Sequence, residues 1–330
     1  MSPTDTSQAS LLSRSQRRSR GALLLTALLL VALGAGAVLF SGAERGGRLH
    51  SLTTAGAAES APGAAPGSTL GASLSWSPPE LKDPEVIEIS PENLSLKLEL
   101  TKDYRLVMPE RPLTHSLSVY GGRNVVLIGG EIRIESGDGE GARGLYLRDQ
   151  TGTVHVEGLL LSGEKLAEGI NLDQRLGAVV QLQNIRIEGV DGSRDGHHAD
   201  LLQSWAGPRQ LLIDGLSGET GYQGFFLLPQ QFGDQEEPEI VDLRRVDIAG
   251  DADGSAYMLW RDDAEWPVVT DQVWVAPTVE DLEDRPRFLW DRAGEDSWKD
   301  VRVGLPPDGS FVPPGSAGVG YESPGYGTAG

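Results

Sequence analysis

Two adjacent histidines, His197 and His198, are the residues of this chain best suited to proton transfer. They stand between Asp195 and Asp200 in the stretch RDGHHAD, and the whole chain has only five histidines. Imidazole titrates near neutral pH, so it can accept a proton and return it within one reaction cycle. The same residue types at a turn also form a local hydrogen-bonded cap that does no chemistry. The choice between the two depends on the elements that position the pair.

Composition narrows the class of protein and its partners. The 330 residues carry a formal net charge of −20, with 48 acidic and 28 basic side chains. Such a surface repels nucleic acid, so we expect no nucleic-acid partner. The chain has no cysteine, which excludes disulfides, thiolate zinc sites and a cysteine nucleophile. The 43 glycines and the short apolar runs favour a turn-rich β protein over a helical one.

Short segments that resemble one another recur every 25 to 32 residues. They are GLYLRD from Gly144, GINLDQ from Gly169, ADLLQS from Ala199, GFFLLP from Gly224 and AYMLWR from Ala256. Each begins with a small residue and has leucine at its fourth position. A second segment follows, with apolar residues two apart, which is typical of a strand with one buried face. Units this short close no core alone, so stacking them predicts one interior column made of the five leucines.

The repeat resembles the coils of the right-handed parallel β-helix, the fold of the pectate-lyase-like superfamily. GGRNVVLIGGEIRI (residues 121–134) is similar to an early coil, and HADLLQ followed by GYQGFFLLP is similar to middle coils. The resemblance implies an all-β fold class, a right-handed parallel β-helix of about seven coils over residues 80–305. The alternative is an antiparallel β-sandwich, whose strands would lack the fixed column of leucines.

The predicted ladder places acidic and aromatic neighbours beside the histidines. Aligning the repeats sets His198 beside Glu168 of the preceding coil and His197 beside Tyr222 of the following coil. An acidic neighbour would raise the pKa of His198, so we predict His198 as the acid/base, Glu168 as the residue that orients it and Tyr222 as a second proton carrier. The candidates for catalysis are His197, His198, Glu168, Asp200 and Tyr222. The alternative is a coil corner in which Asp200 binds backbone amides and a histidine covers it.

The predicted outward positions of the same strands mix aromatic, apolar and polar side chains. Sugar rings bind such surfaces, with their apolar faces stacked on aromatic rings and their hydroxyls hydrogen-bonded. The candidates for substrate binding are Tyr146, Asn171, Arg194, Asp195, Gln203, Arg209, Gln223 and Trp260. The two arginines among them would pair with an acidic sugar. The alternative is that a loop covers this face and turns it into a second small core.

The resemblance implies chemistry on polysaccharides, either β-elimination from a uronate or glycoside hydrolysis. The sequence lacks the clustered Asp ligands with which pectate lyases bind calcium, although Asp173, Asp195 and Asp200 leave weak calcium binding open. It also lacks the paired-Asp motif of polygalacturonase-like hydrolases. We therefore predict no metal or other cofactor, and a polysaccharide or cell-envelope glycan as partner. The alternative function is a non-catalytic cell-surface binding or scaffold protein of the same fold, and the acidic surface disfavours anionic substrates.

The N-terminal residues predict export. Residues 1–20 end in the basic run RSQRRSR, and residues 21–40 are apolar and uncharged. At about 1.5 Å per residue, such an N-terminal apolar helix spans a bilayer as an anchor, with its basic flank in the cytoplasm. A cleaved signal peptide is the alternative, and both readings place the domain outside the cytoplasm. The Gly/Pro-rich compositions of residues 41–79 and 306–330 predict a disordered stalk and a flexible tail.

Overall fold

The structure, a computed structural model, describes most of the chain from Thr69 onwards. The described residues are 69–70, 73–137, 142–193, 196–232, 238–251, 257–264, 266–278 and 285–325. Within these ranges, no helix is long and apolar enough to cross a membrane. The apolar segment 21–40 lies outside the described residues, as do Arg194 and Asp195 of the predicted site.

The described residues form short strands and one short helix, α1 (Arg285–Phe288). In chain order the strands are β1 (Thr69–Leu70), β2 (Glu85–Glu88), β3 (Ser95–Leu98), β4 (Tyr104–Val107), β5 (Leu117–Gly121), β6 (Val125–Ile128), β7 (Glu131–Arg133), β8 (Arg143–Arg148), β9 (Thr153–Glu157), β10 (Leu160–Ser162), β11 (Glu168–Asp173), β12 (Val179–Val190), β13 (Asp200–Ala206), β14 (Gln210–Thr220), β15 (Gln223–Leu227), β16 (Ile240–Gly250), β17 (Tyr257–Arg261), β18 (Val268–Ala276), β19 (Leu289–Asp291), β20 (Arg302–Val303) and β21 (Tyr321–Glu322).

Each strand from β2 to β18 pairs in parallel with a strand one turn later, so the chain winds as a solenoid. The first sheet runs in the order β2-β4-β6-β9-β12-β14-β16-β18-β20, with β7 and β10 joined to it through β12. The second sheet runs in the order β3-β5-β8-β11-β13-β15-β17-β19. The protein is therefore an all-β parallel β-solenoid of about six turns. This confirms the predicted parallel β-helix, with one turn fewer than expected, and the antiparallel sandwich is wrong.

A residue in the left-handed region bends each coil at the same place in the first sheet. Gly158, Asn184, Gly215, Arg245 and Gln272 have φ between 49° and 73°. They occupy equivalent positions, next to paired residues of successive strands. One left-handed residue turns a strand without ending its ladder, so β12, β14, β16 and β18 each contribute to two faces of the solenoid.

Apolar side chains fill the interior, but the predicted column of leucines is wrong by two residues at its third and fifth members. Leu259 pairs with Phe225 rather than with Leu227. Leu202 pairs with Ile170 and Phe225 rather than with Leu172 and Leu227. A shift of two residues keeps the same side chains facing inwards. Leu202 is therefore still fully buried, and the fold survives although the register was misplaced.

The small residue that starts each repeat is the reason for this error. Leu201 takes the place in its coil that Gly169 and Gly224 take in the neighbouring coils. Ala199, which was aligned with those glycines, lies two residues further upstream. Leu201 is buried in the core beside the next turn, so a large apolar residue fills a place that glycine leaves open elsewhere.

Residues 306–325, named here the strap, pack on the solenoid where the sequence predicted a flexible tail. Val312 is buried, and its amide donates to Ser217 Oγ at 2.8 Å. Tyr321 Oη donates to Glu157 Oε1 at 2.6 Å, in the first sheet. The expectation of a loose tail is wrong for these residues, because polar groups of the solenoid hold a segment whose composition supplies little apolar surface.

The last residues of the predicted stalk also contact the first sheet. The amides of Ser75 and Trp76 donate to Gln183 Oε1 at 2.9 and 3.1 Å, and Gln183 Nε2 donates to the Trp76 carbonyl at 2.8 Å. The Arg244 guanidinium lies 4.7 Å from the centroid of the Trp76 ring. Further upstream, β1 pairs in parallel with β21 of the strap. Both ends of the described chain therefore meet over the first sheet.

Candidate functional site

Five polar side chains form one row on the outer surface of the second sheet, named here the charged row. Arg143, Glu168, Asp200, Gln223 and Tyr257 are paired residues of β8, β11, β13, β15 and β17. The two residues that follow Asp200 are both buried in the core. The alternation of faces is interrupted there, so the row lies on the outer side. Parallel pairing thus places residues of five successive coils in one line, with about 4.8 Å between neighbours.

Glu168 accepts hydrogen bonds from two of its neighbours. Arg143 Nε donates to Glu168 Oε2 at 2.9 Å, and Asn171 Nδ2 donates to the same oxygen at 2.6 Å. His197 Nε2 lies 3.9 Å from Glu168 Oε1. The histidine beside Glu168 is therefore His197, and the prediction that His198 lies there is wrong.

His198 lies against a tyrosine instead. The ring centroids of His198 and Tyr222 are 5.0 Å apart, and those of Tyr222 and Tyr257 are 5.9 Å apart. The two-residue shift in register explains the exchange, because it sets Asp200 rather than His198 opposite Glu168. Both histidines are exposed, whereas Tyr222 is buried. The turn thus places imidazoles at the surface above a buried carboxyl pair.

Asp200 is the most perturbed acid of this surface. It is 2% exposed, and its Oδ1 has no hydrogen-bond partner in the described part of the chain. Burial, and then the neighbouring Glu168 carboxylate, raise the pKa of Asp200 well above its usual value. Asp200 therefore carries a proton under conditions in which an ordinary aspartate has lost it. The alternative of a backbone cap would need amides that donate to this carboxyl, and its Oδ1 receives no hydrogen bond from the described residues.

Asn171 adds a second unsatisfied group to the same cluster. Its side chain is fully buried, its Nδ2 is used by Glu168, and its Oδ1 has no partner among the described residues. Buried polar atoms usually have hydrogen-bond partners, so two unsatisfied oxygens in one cluster, those of Asn171 and Asp200, are unusual. When an ion-paired carboxylate lies next to a protonated carboxyl, the first group can act as a base and the second as an acid.

Aromatic side chains continue this surface towards the C-terminal coils. Gln203, Phe226, Trp260 and Trp290 are paired residues of β13, β15, β17 and β19. The ring centroids of Phe226 and Trp260 are 3.9 Å apart, and those of Trp260 and Trp290 are 6.0 Å apart. Trp290 is 42% exposed. We name Phe226, Trp260 and Trp290 the aromatic strip.

The N-terminal half of the same surface is packed rather than open. Tyr146 is 8% exposed, and its hydroxyl donates to Asp173 Oδ2 at 3.2 Å. The Arg143 guanidinium lies 4.9 Å from the Trp205 ring centroid and 5.7 Å from that of Tyr146. Burial raises the pKa of Tyr146 to about 12, so it stays a phenol. A packed face and a more exposed face thus occur in different coils of this surface.

Some sequence-predicted residues lie elsewhere. Arg209 lies by the first sheet, where its Nη1 donates to Glu239 Oε2 at 2.9 Å and its Nε donates to the Gly177 carbonyl at 3.1 Å. It therefore does not join the charged row. Glu168, Asp200 and Gln223 do come together in that row.

Arg143 and Trp205 are neighbours of the site that the sequence reasoning missed. Arg143 precedes Glu168 by the same 25 residues that separate Leu147 from Leu172, so the repeat alone could have paired them. Trp205 lies at a break in register between β11 and β13. No periodic signal marks such a bulge, so Trp205 was not predictable in this way.

The described residues contain no group of three or more His, Asp or Glu side chains that could hold a metal ion. Of the three aspartates considered for calcium, Asp173 accepts two hydrogen bonds from Arg175, at 2.7 and 3.0 Å. Asp195 lies outside the described residues, and Asp200 is buried.

Comparisons with family models, with curated proteins and with solved structures found no match to this chain. The candidate site is therefore interpreted from its own geometry.

Proposed function

We propose that the protein binds a polysaccharide along the outer surface of the second sheet. The observation that supports this is the aromatic strip, in which rings of successive coils lie edge to face and end in the exposed Trp290. Sugar rings stack their apolar faces on such rings. The amides of Gln203 and Gln223, in neighbouring rows, supply donors and acceptors for hydroxyls.

The proposed partner is a cell-envelope or extracellular glycan. The basic and apolar residues 14–40 support an extracytoplasmic location, either anchored in the membrane or secreted after cleavage. The resemblance to the pectate-lyase-like superfamily supports a carbohydrate as the ligand. A net charge of −20 disfavours nucleic acid.

Binding is tested by affinity electrophoresis and calorimetry of the full chain against a panel of soluble polysaccharides. Trp290→Ala should weaken binding about tenfold, which corresponds to 1.4 kcal/mol. Trp274→Ala is the matched control, because Trp274 is a partly exposed tryptophan of the first sheet. Equal loss in both variants, or no binding by the wild type, would contradict the proposal.

Glycoside hydrolysis is a second candidate function, favoured by the pairing of Asp200 with Glu168. Asp200 would donate its proton to the leaving glycosidic oxygen. Glu168 would bond to the anomeric carbon as the glycosidic bond breaks, and a water that gives its proton to Asp200 would then hydrolyse the glycosyl ester and restore Glu168. His197 and His198 would lie at the entrance, and Tyr222 would support His198.

Hydrolysis releases reducing ends and no unsaturated product, whereas β-elimination yields an unsaturated sugar that absorbs in the ultraviolet. We expect Asp200→Asn and Glu168→Gln to abolish the release of reducing ends. His198→Ala should retain part of it, because His198 contacts Tyr222 rather than Glu168. Binding without turnover would support the alternative of a non-catalytic binding or scaffold protein.

A further inference from the structure

We infer that the protein transfers sugar chains between glycans, by passing a glycosyl group from Glu168 to a sugar hydroxyl held on the aromatic strip. This inference rests on the proposed glycoside hydrolysis, because both reactions share their first step. It goes beyond that function in giving the glycosyl group an acceptor other than water. The ligands are therefore two glycan chains, one donor and one acceptor.

The spacing of the two carboxyl groups favours a mechanism with a covalent intermediate. Glu168 and Asp200 are paired residues of neighbouring coils, so their backbones lie about 4.8 Å apart. Retaining glycosidases have carboxyl groups about 5–5.5 Å apart, whereas inverting ones need about 6.5–9.5 Å to leave room for a water. The Glu168 carboxylate also contributes to the raised pKa of Asp200, which agrees with a short separation. A glycosyl ester on Glu168 follows from this spacing.

The hydrogen bonds of Glu168 distinguish its two oxygens. Arg143 Nε and Asn171 Nδ2 both donate to Oε2, at 2.9 and 2.6 Å. Oε1 faces His197 instead, whose Nε2 lies 3.9 Å away. Two donors on Oε2 fix the orientation of the carboxyl group, so Oε1 is the oxygen that bonds to the anomeric carbon.

The transfer takes two steps, and Asp200 moves the proton in each. In the first step, Glu168 Oε1 bonds to the anomeric carbon as the glycosidic bond breaks, and the leaving oxygen keeps the electron pair and takes the proton of Asp200. In the second step, an acceptor hydroxyl oxygen bonds to the same carbon, and the ester bond breaks with its electron pair returning to Glu168. The hydroxyl proton passes to Asp200, which restores both side chains. Two chains leave with lengths different from those that entered.

The aromatic strip lies on the side of the acid, where the leaving chain and then the acceptor bind. Asp200 lies on β13, one coil closer to the strip than Glu168 on β11. The strip continues over β15, β17 and β19, so Trp290 lies about three coils, or about 14 Å, beyond Asp200. Because the acid protonates the leaving oxygen, the leaving chain extends over these rings. Once it dissociates, another chain end can stack on the same rings.

Binding at the strip gives a sugar hydroxyl an advantage over water. Glu168 and Asp200 are only 8% and 2% exposed, so little bulk water contacts the pair. An acceptor stacked on Phe226 and Trp260 holds its hydroxyl near the ester, which raises the effective concentration of that hydroxyl. Transfer therefore outcompetes hydrolysis when acceptor chains are present.

The test incubates the full chain with an unlabelled donor and a fluorescently labelled acceptor trisaccharide of the same linkage. The donors are cellohexaose, laminarihexaose, mannohexaose, xylohexaose and maltohexaose. Electrophoresis and mass spectrometry should show labelled products longer than the trisaccharide. The ratio of transfer to hydrolysis should rise with the concentration of acceptor, because acceptor and water compete for one ester.

Two further readouts report the covalent intermediate. Proton NMR of the first product should show the anomeric configuration of the substrate, because two displacements invert it twice. A 2-deoxy-2-fluoro glycosyl fluoride of the sugar that is cleaved should add its glycosyl mass to a peptide of the wild type that contains Glu168. Glu168→Gln retains an oxygen for the bonds from Arg143 and Asn171, and it should form no such adduct.

A variant of the strip tests where the acceptor binds. Trp290→Ala should lower the ratio of transfer to hydrolysis about tenfold, because the acceptor chain loses a stacking ring. Trp274→Ala is the matched control on the first sheet and should leave this ratio unchanged. An unchanged ratio in Trp290→Ala, or an equal fall in both variants, would overturn the assignment of the acceptor to the strip.

The possible failures are distinguishable. A product of inverted configuration, or a retained configuration without any lengthened chain at saturating acceptor, overturns the inference and leaves glycoside hydrolysis intact. Absence of turnover with every donor overturns the inference and the hydrolysis together. Glycan binding at the strip, measured by calorimetry, is unaffected by either result.

Discussion

Replacing Asp200 with asparagine should stabilise the protein, and more so as the pH rises. The Asp200 carboxyl is almost completely buried, and its Oδ1 lacks a hydrogen-bond partner among the described residues. In the folded state, burial and the neighbouring Glu168 raise its pKa well above the usual 3.8. The unfolded chain releases this proton near pH 3.8, whereas the folded chain keeps it. The group therefore contributes less stability as the pH rises above 3.8.

The size of the effect follows from linkage. While the folded carboxyl stays protonated, each pH unit above 3.8 lowers the free energy of unfolding by about 1.4 kcal/mol. This loss accumulates over the pH range above 3.8 in which the folded carboxyl stays protonated. Asparagine has the same shape and does not titrate, so Asp200→Asn should gain this amount on the wild type over that range.

Urea unfolding followed by tryptophan fluorescence measures the difference, since the chain has seven tryptophans. Wild type and Asp200→Asn are compared at several pH values from 3.5 to 6, and the difference in free energy of unfolding is plotted against pH. A slope near zero would mean that Asp200 is ionised in the folded state. A negative slope would mean that an unseen cation stabilises the carboxylate, and either result would refute the reasoning for a protonated acid at this site.

Asp103→Asn should show the opposite pH dependence, because hydrogen bonds from its paired arginine and from two backbone amides hold the pKa of Asp103 at about 2. The variant should be less stable by about 2 kcal/mol at pH 7, and this deficit should disappear as the pH falls from 3.8 to 2; a deficit that persists in acid would contradict the assignment. Gly158→Ala should make the strap accessible to proteolysis, because its new Cβ would overlap the Tyr321 ring. Gly189→Ala is the control and should leave the strap protected, because Gly189 has a similar φ of +68° and open space around it. Equal cleavage of the two variants would show that backbone strain alone matters. Leu202→Ala should cost about 2–5 kcal/mol in urea unfolding, because Leu202 is fully buried between successive coils, and a loss below 1 kcal/mol would count against that packing.

The fold was predictable from the sequence because its signal is repeated. Apolar residues two apart, recurring about every 25 to 32 residues, define strands that bury one face and stack on the next copy. The register was harder, because turns of unequal length separate the copies. Ala199 was aligned with Gly169, although Leu201 takes that place. An error of two residues keeps Leu202 in the core, but the strand pattern did not predict that Leu201 is buried beside it, nor which residues lie next to His198.

The chemistry of the site depends on such neighbours, which periodicity does not supply. The proximity of Glu168 to Asp200 needs the register to be correct within one residue. The raised pKa of Asp200 has burial and the neighbouring Glu168 carboxylate as its causes, and the second of these depends on the same register. The strap was missed for a related reason. A Gly/Pro-rich composition indicates that a segment builds no core of its own. It does not predict hydrogen bonds to the rest of the protein, such as the one that Tyr321 donates to Glu157.

The meeting of both chain ends over the first sheet determines how the solenoid would respond to mechanical load. Traction on the chain upstream of Thr69 would first act in shear on β1 and β21. It would next reach the hydrogen bonds of Ser75 and Trp76 to Gln183, halfway along the solenoid. Only after these contacts had ruptured would the force reach β2 and begin to unravel the coils from their edge. The contacts of the two ends therefore keep a force applied upstream of Thr69 away from the terminal turn.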